Sequence, residues 1–216
     1  TVRNPMAKYA SEFLGTAILF CAVVGSGIMG ENLNSENDQV TLLTNTLATV
    51  FALYFLISSL QPFSTHFNPV VSFVFCLKGE ISVKTCTGFV ALQIAGAICG
   101  VMLANYMFGI EPVNFSEKTR SGTNIFVSEV FATFGLLLVI LLSTKEKVAG
   151  GVAAYIGGAY WFTSSTSFAN PAGSIGRSFS NSFAGINPDD VLAFCGAQVI
   201  GAILAYLLHK LVFARN

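Results

Sequence analysis

Two short stretches of this sequence place an Asn-Pro pair among apolar residues. The first is HFNPVVSF, from His66 to Phe73, and the second is FANPAGS, from Phe168 to Ser174. Proline is tolerated in the first turn of a helix, where its missing N–H costs nothing, and asparagine is a favoured N-cap. Each stretch therefore predicts a helix that begins at its Asn-Pro pair.

The composition around these stretches is that of a protein with several membrane spans. Of the 216 residues, 53% are hydrophobic and 10% are charged, whereas soluble domains have about 25% charged residues. The mean hydropathy is +0.68. The formal net charge is zero, and no block of lysine and arginine suggests nucleic-acid binding. We therefore expect an all-α protein whose main partner is the lipid bilayer.

Six windows of roughly 20 apolar residues are long enough to cross a bilayer. They lie at approximately 8–30, 40–60, 84–108, 124–143, 148–168 and 190–213. Two further apolar stretches, 69–77 and 171–180, follow the Asn-Pro pairs and are too short to span. The sequence thus predicts six transmembrane helices and two half-helices.

The charges between the windows predict the orientation of the chain. Most cations fall on one side, and the positive-inside rule places that side and both termini in the cytoplasm. The cations of this side are Arg3, Lys8, Lys78, Lys84, Lys145, Lys147, Lys210 and Arg215. The opposite side has Lys118, Arg120 and Arg177, with the acids Glu31, Glu36, Asp38, Glu111, Glu117, Asp189 and Asp190. We expect a multi-pass protein of the plasma membrane.

Three pairs of similar segments occur in the same order in the two halves of the chain. They are SEFLGT (11–16) with SEVFAT (128–133), LQIAGAI (92–98) with AQVIGAI (197–203), and the two Asn-Pro pairs. This indicates a duplicated unit, at approximately 8–108 and 124–213, within a single domain, 1–216. Because each unit has three spans, the second must enter the membrane from the opposite side, which makes the repeat inverted.

Inverted repeats place a transport site near the bilayer midplane, where the two halves meet. The two half-helices would meet there through their N-termini, with two positive dipole ends and two asparagine amide donors directed at one spot. Such a spot favours a hydrogen-bond acceptor and repels a cation.

At this point the residues resemble the aquaporin, or major intrinsic protein, family. The two stretches are similar to its paired NPA boxes, here Asn68, Pro69, Val70 and Asn170, Pro171, Ala172, and SEFLGTAILF is similar to its first-helix signature. The resemblance covers about 8–213. It implies a pore in every subunit of a homotetramer, with selectivity by pore diameter, lining groups and half-helix dipoles, for which aquaporins are a known example.

The resemblance also implies four positions for the selectivity filter. The residue after the second box is usually arginine in the family, and here it is Gly173. Counting without gaps from the two asparagines assigns the other positions to Ala48, Gly158 and Ser167. All four are small, which predicts a wide filter without its fixed charge.

Two alternatives to this filter stay open. A shift of one residue would select Leu47 or Thr49 and Gly157 or Ala159, and nearby aromatic residues could refill the space, namely Phe51, Tyr54, Tyr160, Trp161 and Phe162. Arg177 lies one helical turn beyond Gly173, so it is either a displaced filter arginine or a residue of the outer mouth.

Two carboxylates stand at matching places in the two repeats, Glu12 and Glu129. Ionisable groups within a membrane are functional candidates, and one reading is a proton relay. The other, which the resemblance favours, is that they accept hydrogen bonds from the re-entrant loops. Gln93 and Gln198 are expected to serve packing or loop support, and His66 to stabilise the loop before the first box.

The sequence as a whole predicts a passive channel for water and small uncharged solutes. Glycerol, urea and metalloid hydroxides such as arsenite suit a wide filter. The alternatives are a proton-coupled transporter that uses Glu12 or Glu129, and a non-conducting structural protein of the same fold. No cofactor or enzymatic activity is expected, since the sequence has no nucleophile–base or metal-ligand cluster. The cysteines are expected to be free thiols, namely Cys21, Cys76, Cys86, Cys99 and Cys195.

Overall fold

The computed structural model describes residues 4, 6–33 and 37–213. Arg3, Glu36 and Arg215, which contribute to the predicted orientation, lie outside these residues. The described residues form the predicted all-α fold. Their α-helices are α1 (Ala7–Leu33), α2 (Asp38–Leu60), α3 (Pro69–Leu77), α4 (Val83–Met107), α5 (Thr123–Leu142), α6 (Val148–Phe162), α7 (Pro171–Arg177) and α8 (Val191–Leu208). A 3₁₀ turn, Pro188–Asp190, precedes α8, and a π-helical turn, His209–Phe213, follows it.

Five segments are long and apolar enough to cross a membrane: α1, α2, α4, α5 and Pro188–Phe213 around α8. The remaining predicted span, 148–168, is helical only to Phe162. With 15 residues, α6 is about 22 Å long at 1.5 Å per residue, against a hydrocarbon core of about 30 Å.

The early end of α6 has a local cause in the sequence TSSTS, residues 163–167. Serine and threonine hydroxyls compete with the backbone for hydrogen bonds, and Thr163 Oγ1 donates to the carbonyl of Ala159. Thr166 and Ser167 then take left-handed φ values of 59° and 50°. The chain therefore leaves the helix and turns back towards the second Asn-Pro pair.

The two half-helices begin where the sequence predicts. Asn68 Oδ1 accepts a hydrogen bond from the Val70 N–H at 3.1 Å, and Asn170 Oδ1 accepts one from the Gly173 N–H at 3.2 Å. Both prolines are at the first helical positions. The first half-helix has the predicted bounds, but the second ends at Arg177, before the expected residue 180.

The helix contacts follow the predicted inverted repeat. Contacts of α1 with α4, α1 with α2 and α3 with α4 in the first repeat recur as α5 with α8, α5 with α6 and α7 with α8 in the second. The repeats join where α2 packs on α6, α4 on α7 and α3 on α8. Each half-helix thus lies between helices of both repeats.

Matching glycines allow the closest of these contacts. A Cβ at Gly96 of α4 would collide with the backbone of Phe13 in α1, and one at Gly201 of α8 would collide with the backbone of Val130 in α5. Small residues at such positions let membrane helices approach closely. The outward faces are apolar and exposed, as lipid contact requires, and include Leu14, Phe51, Phe131 and Leu204.

Candidate functional site

A cavity of about 700 Å³ runs between the two repeats. At one end it is lined by charged residues of the connecting segments, among them Lys78 and Lys145, and it extends past Asn68 and Asn170 to Arg177. The two half-helices begin beside each other, because each asparagine is bonded to the other's loop, and they end at Leu77 and Arg177. A cavity that reaches both ends therefore passes through the level of the asparagines.

The two asparagines are hydrogen-bonded to each other's loops. Asn68 Nδ2 donates to the carbonyl of Ala169 at 2.7 Å, and Asn170 Nδ2 donates to the carbonyl of Phe67 at 2.8 Å. Phe67 and Ala169 have left-handed φ values of 49° and 48°. Neither Asn-Pro pair by itself predicts these bonds, because each partner belongs to the other repeat.

The asparagines also keep hydrogen-bonding capacity beyond these bonds. A side-chain amide has two N–H donors, so each asparagine has a second one, and both residues line the cavity. The positive ends of two helix dipoles lie at the same level. This part of the cavity therefore presents donors to a passing solute.

Glu12 accepts four hydrogen bonds, three of them from the loop that precedes α3. Its Oε1 accepts from Ser64 Oγ and from the His66 N–H at 2.8 Å. Its Oε2 accepts from the Phe67 N–H at 2.7 Å and from Gln93 Nε2 at 2.7 Å. Four donors from the loop and the adjacent helix thus converge on one buried carboxylate.

Glu129 has the same arrangement in the second repeat. Its Oε1 accepts from Ser165 Oγ at 2.7 Å and the Phe168 N–H at 2.8 Å. Its Oε2 accepts from the Ala169 N–H at 2.9 Å and Gln198 Nε2 at 2.8 Å. All four partners donate to the carboxylate, and three of them, the two backbone N–H groups and the amide nitrogen of Gln198, cannot accept a proton. These contacts favour loop support over a proton relay.

Two serines that the sequence analysis missed complete these networks. Gln93 Nε2 also donates to Ser72 Oγ, and Gln198 Nε2 also donates to Ser174 Oγ, both at 2.9 Å. The signal was present in the sequence, because each serine stands four residues after its asparagine, in NPVVS and NPAGS. The third residues of the two boxes, Val70 and Ala172, are buried beside them.

His66 lies in the wall of the cavity next to the first network. Its Nδ1 is 3.0 Å from Ser72 Oγ, and its ring centroid is 4.7 Å from that of Phe75 and 5.6 Å from that of Phe89. Because its backbone N–H also donates to Glu12, the residue is held at several points. These contacts suit the predicted role in stabilising the loop.

The structure places one of the four filter positions counted from the sequence in the cavity wall. Ser167 lines the cavity, whereas Ala48, Gly158 and Gly173 are not among its lining residues, and Gly158 is exposed on the outer surface. Thr49 and Tyr160 line the cavity instead, with their hydroxyl groups 3.2 Å apart. A helix turns by 100° per residue, so an error of one or two residues selects a different face.

Gly173, the residue after the second box, packs against a ring that the sequence analysis did not consider. A Cβ at Gly173 would overlap the ring of Phe20 from α1. Phe20 is 4% exposed and lines the cavity. No local pattern in α1 distinguishes Phe20 from other apolar residues, because its position depends on the packing of α1 against α7.

Arg177 is buried in the cavity wall, with 4% of its surface exposed. Its Nε donates to the carbonyl of Ala184, and its guanidinium carbon lies 3.3 Å from the ring centroid of Phe168. Arg120 approaches the same ring at 4.9 Å. Burial lowers the pKa of Arg120 to about 10, so this residue stays charged at neutral pH.

Three cations share the carbonyl groups of residues 183–185. Lys118 and Arg120 donate to Phe183, Arg177 to Ala184, and Arg120 also to Gly185. Within residues 4, 6–33 and 37–213, the one ion pair is between Lys78 and Glu80 at the other end of the cavity. Among those residues none of the three cations has a carboxylate within ion-pair distance, although Asp190 accepts a hydrogen bond from the Arg120 N–H and Glu31 accepts one from the Phe183 N–H.

Ser167 provides one free hydrogen-bonding group beside these cations. Its Oγ is buried and has no hydrogen-bond partner among the described residues, and the side chain lines the cavity. Buried hydroxyl groups are normally paired. Ser167 is therefore a cavity-lining residue whose hydroxyl group has unused hydrogen-bonding capacity.

The chain has relatives of the same architecture. It is 46% identical to "Aquaglyceroporin AqpS" of Rhizobium meliloti, with 94% of this chain and 88% of the relative covered, and 29% identical to human "Aquaporin-5", with 92% and 78% covered. The X-ray structure of the aquaglyceroporin from Plasmodium falciparum matches with a TM-score of 0.74 at 18% identity, covering 98% of both chains, which shows a common fold. Residues 2–209 match the family described as "Major intrinsic protein". The protein therefore belongs to the major intrinsic protein family.

Proposed function

We propose that the protein is a passive channel for water and small uncharged solutes such as glycerol. The observation that carries this proposal is the cavity that passes between Asn68 and Asn170 and reaches Arg177. The family and the relative named an aquaglyceroporin support it. Urea and metalloid hydroxides such as arsenite belong to the same class of solute.

The groups along the cavity explain why a neutral solute would pass more easily than a cation. At the asparagines, each half-helix N-terminus is equivalent to roughly half a positive charge. Further along, the guanidinium group of Arg177 adds a fixed charge. A cation would lose part of its hydration shell and would be repelled both at the asparagines and at Arg177. A polyol or water molecule, by contrast, can accept hydrogen bonds from the same donors.

In this proposal Arg177 is the cation of the selectivity filter, displaced by one helical turn from position 173. Ser167 supplies a hydroxyl group beside it, and Thr49 and Tyr160 form the wall from α2 and α6. Residues 68–70 and 170–172 form the two boxes at the centre of the pore. Glu12, Glu129 and His66 hold the loops that precede them.

The proton-coupled transporter receives less support from the contacts. Both oxygens of Glu12 and of Glu129 are occupied by donors from the loops and from glutamines, so protonation would disrupt the loops. A transporter predicts saturable uptake driven by a pH gradient, whereas a channel predicts linear flux without one. A non-conducting structural protein predicts no flux at all.

The assembly and orientation belong to the same proposal. We expect a homotetramer in the plasma membrane, formed by a single domain with repeats 8–108 and 124–213, and with both termini in the cytoplasm. Lys8, Lys78 and Lys145 line one end of the cavity, while Lys118 and Arg120 lie at the other. This grouping supports the positive-inside assignment. Native mass spectrometry tests the tetramer, and cysteine labelling of intact cells at residues 120 and 145 tests the sidedness.

The channel is tested by stopped-flow light scattering of proteoliposomes in gradients of water, glycerol, urea and arsenous acid. We expect flux above that of empty liposomes, linear in concentration and unaffected by a pH gradient. Asn170→Ala should reduce it, because the second box loses its cap and its bond to the first loop. Asn37→Ala, which removes an exposed cap of α2, is the matched control. Swelling no faster than that of empty liposomes for every solute would refute the channel.

A further inference from the structure

We propose that Phe20 of α1 sets the size limit of the pore, and that Gly173 is required because the ring of Phe20 occupies the space of its missing side chain. This inference rests on the proposed channel function. It assigns the constriction to a helix that does not contribute any of the four positions counted from the sequence.

The first support is steric. A Cβ built on Gly173 would overlap two carbons of the Phe20 ring and touch a third, and both residues are buried. Any side chain at position 173 would therefore have to displace the ring. The ring of Phe20 thus occupies the space that the side chain of an arginine at position 173 would need.

The second support is the position of the ring in the cavity. Phe20 lines it together with Leu19 and Val23 of the same helix. These residues form an apolar part of the wall on the side of α1. Polar residues of the wall come from other elements, namely Thr49, Tyr160, Ser167 and Arg177.

The arrangement changes the expected selectivity. Four small filter residues predict a wide constriction, but Phe20 and the phenol of Tyr160 line the cavity, and in this proposal they narrow it. A solute would pass with its carbon atoms against Phe20 and its hydroxyl groups towards Ser167 and Arg177. Shortening the side chain at position 20 should therefore admit longer polyols, while water and glycerol still pass.

The test measures proteoliposome permeability to water, glycerol, erythritol and xylitol for Phe20→Leu and Phe20→Ala. A pocket discriminates about tenfold or more for each carbon group gained or lost, so we expect the ratio of erythritol to glycerol permeability to rise about tenfold for Phe20→Ala. Phe13→Leu, on the same helix but away from the cavity wall, is the control and should leave the ratio unchanged. Size-exclusion chromatography confirms folding, and Phe20→Leu serves if the alanine variant fails to fold.

A second measurement depends on stability and not on flux. Gly173→Ala should lower the thermal stability of the wild-type chain, because the methyl group must displace the ring, and should have little effect in a Phe20→Leu or Phe20→Ala chain. This is a double-mutant cycle for two residues in contact.

The outcomes separate this inference from the proposed function. If the wild type conducts glycerol but the Phe20 variants keep its solute profile, Phe20 does not set the size limit and the channel stands. If Gly173→Ala lowers the thermal stability equally in chains with and without the Phe20 ring, the ring and the new methyl group do not compete for one space, and that part of the proposal is refuted. If the wild type conducts no solute, the channel proposal fails, whereas the stability cycle still tests the packing.

Discussion

Replacing Glu129 by glutamine tests whether the buried carboxylate holds the second re-entrant loop. An amide has one oxygen, so the nitrogen takes the place of a carboxylate oxygen that accepts two hydrogen bonds. Whichever way the amide is turned, one backbone N–H, of Phe168 or of Ala169, then faces another donor. The loop that carries Ser167 and Asn170 loses part of its support.

The magnitude follows from the number of bonds. A hydrogen bond to a charged group contributes about 1.5–3 kcal/mol, and two are lost, so we expect Glu129→Gln to lower the free energy of unfolding by about 3–6 kcal/mol. Stability of globular chains is of the order of 5–15 kcal/mol. For 150–250 residues each kcal/mol shifts Tm by about 2–4 °C, so a decrease of roughly 10 °C is expected.

The assay combines thermal unfolding of the detergent-purified protein, followed by circular dichroism, with glycerol flux in proteoliposomes. Glu117→Gln is the matched control, since that side chain is exposed in the α4–α5 connection and should leave Tm unchanged. A Tm within about one degree of the wild type, with unchanged flux, would refute loop support. Unchanged Tm with loss of uptake driven by a pH gradient would favour the proton relay.

Three further substitutions test other parts of the proposed pore. Arg177→Gln removes the fixed charge, so proton leak through proteoliposomes, measured with an internal pH dye, should rise while water flux persists; an unchanged leak would place cation exclusion at the asparagines alone. Asn68→Ala removes both the cap of α3 and the bond to Ala169. It should lower the free energy of unfolding, measured by thermal unfolding, by about 2–3 kcal/mol, which is more than the loss of an exposed cap would. Gly96→Val places a side chain against the backbone of α1, so little folded protein should elute from size-exclusion chromatography; normal yield would contradict the close packing of α1 on α4.

Much of the fold could be predicted because its signals are local. The starts of α3 and α7 follow from the Asn-Pro pairs, whose capping chemistry involves only neighbouring residues. The spans follow from the length of apolar windows. The inverted repeat follows from three matched segments and an odd number of spans, and this was confirmed in the contacts of the helices.

The end of α6 shows where such signals fail. The window 148–168 is apolar enough to suggest a span, but hydroxyl groups in 163–167 compete for backbone hydrogen bonds and the chain turns at Thr166 and Ser167. Apolar content measures the cost of transfer into lipid. It does not measure whether the backbone continues as a helix, so the window overestimated the length of α6.

The candidate site also combines residues that can be recognised in the sequence with residues that only the tertiary packing brings together. The boxes and the two glutamates are visible in the sequence because they stand at matched places in the two repeats, and Ser167 because it lies three residues before Asn170. Thr49, Tyr160 and Phe20 line the cavity through the rotation and packing of their helices, since one residue of register changes the face by 100°. Gly173 stands out in the sequence because the family usually has arginine there, but the ring that fills the space of its missing side chain belongs to Phe20, a residue distant along the chain. Chemistry between neighbours can be read along the chain, but the shape of a pore depends on which distant side chains share the same space.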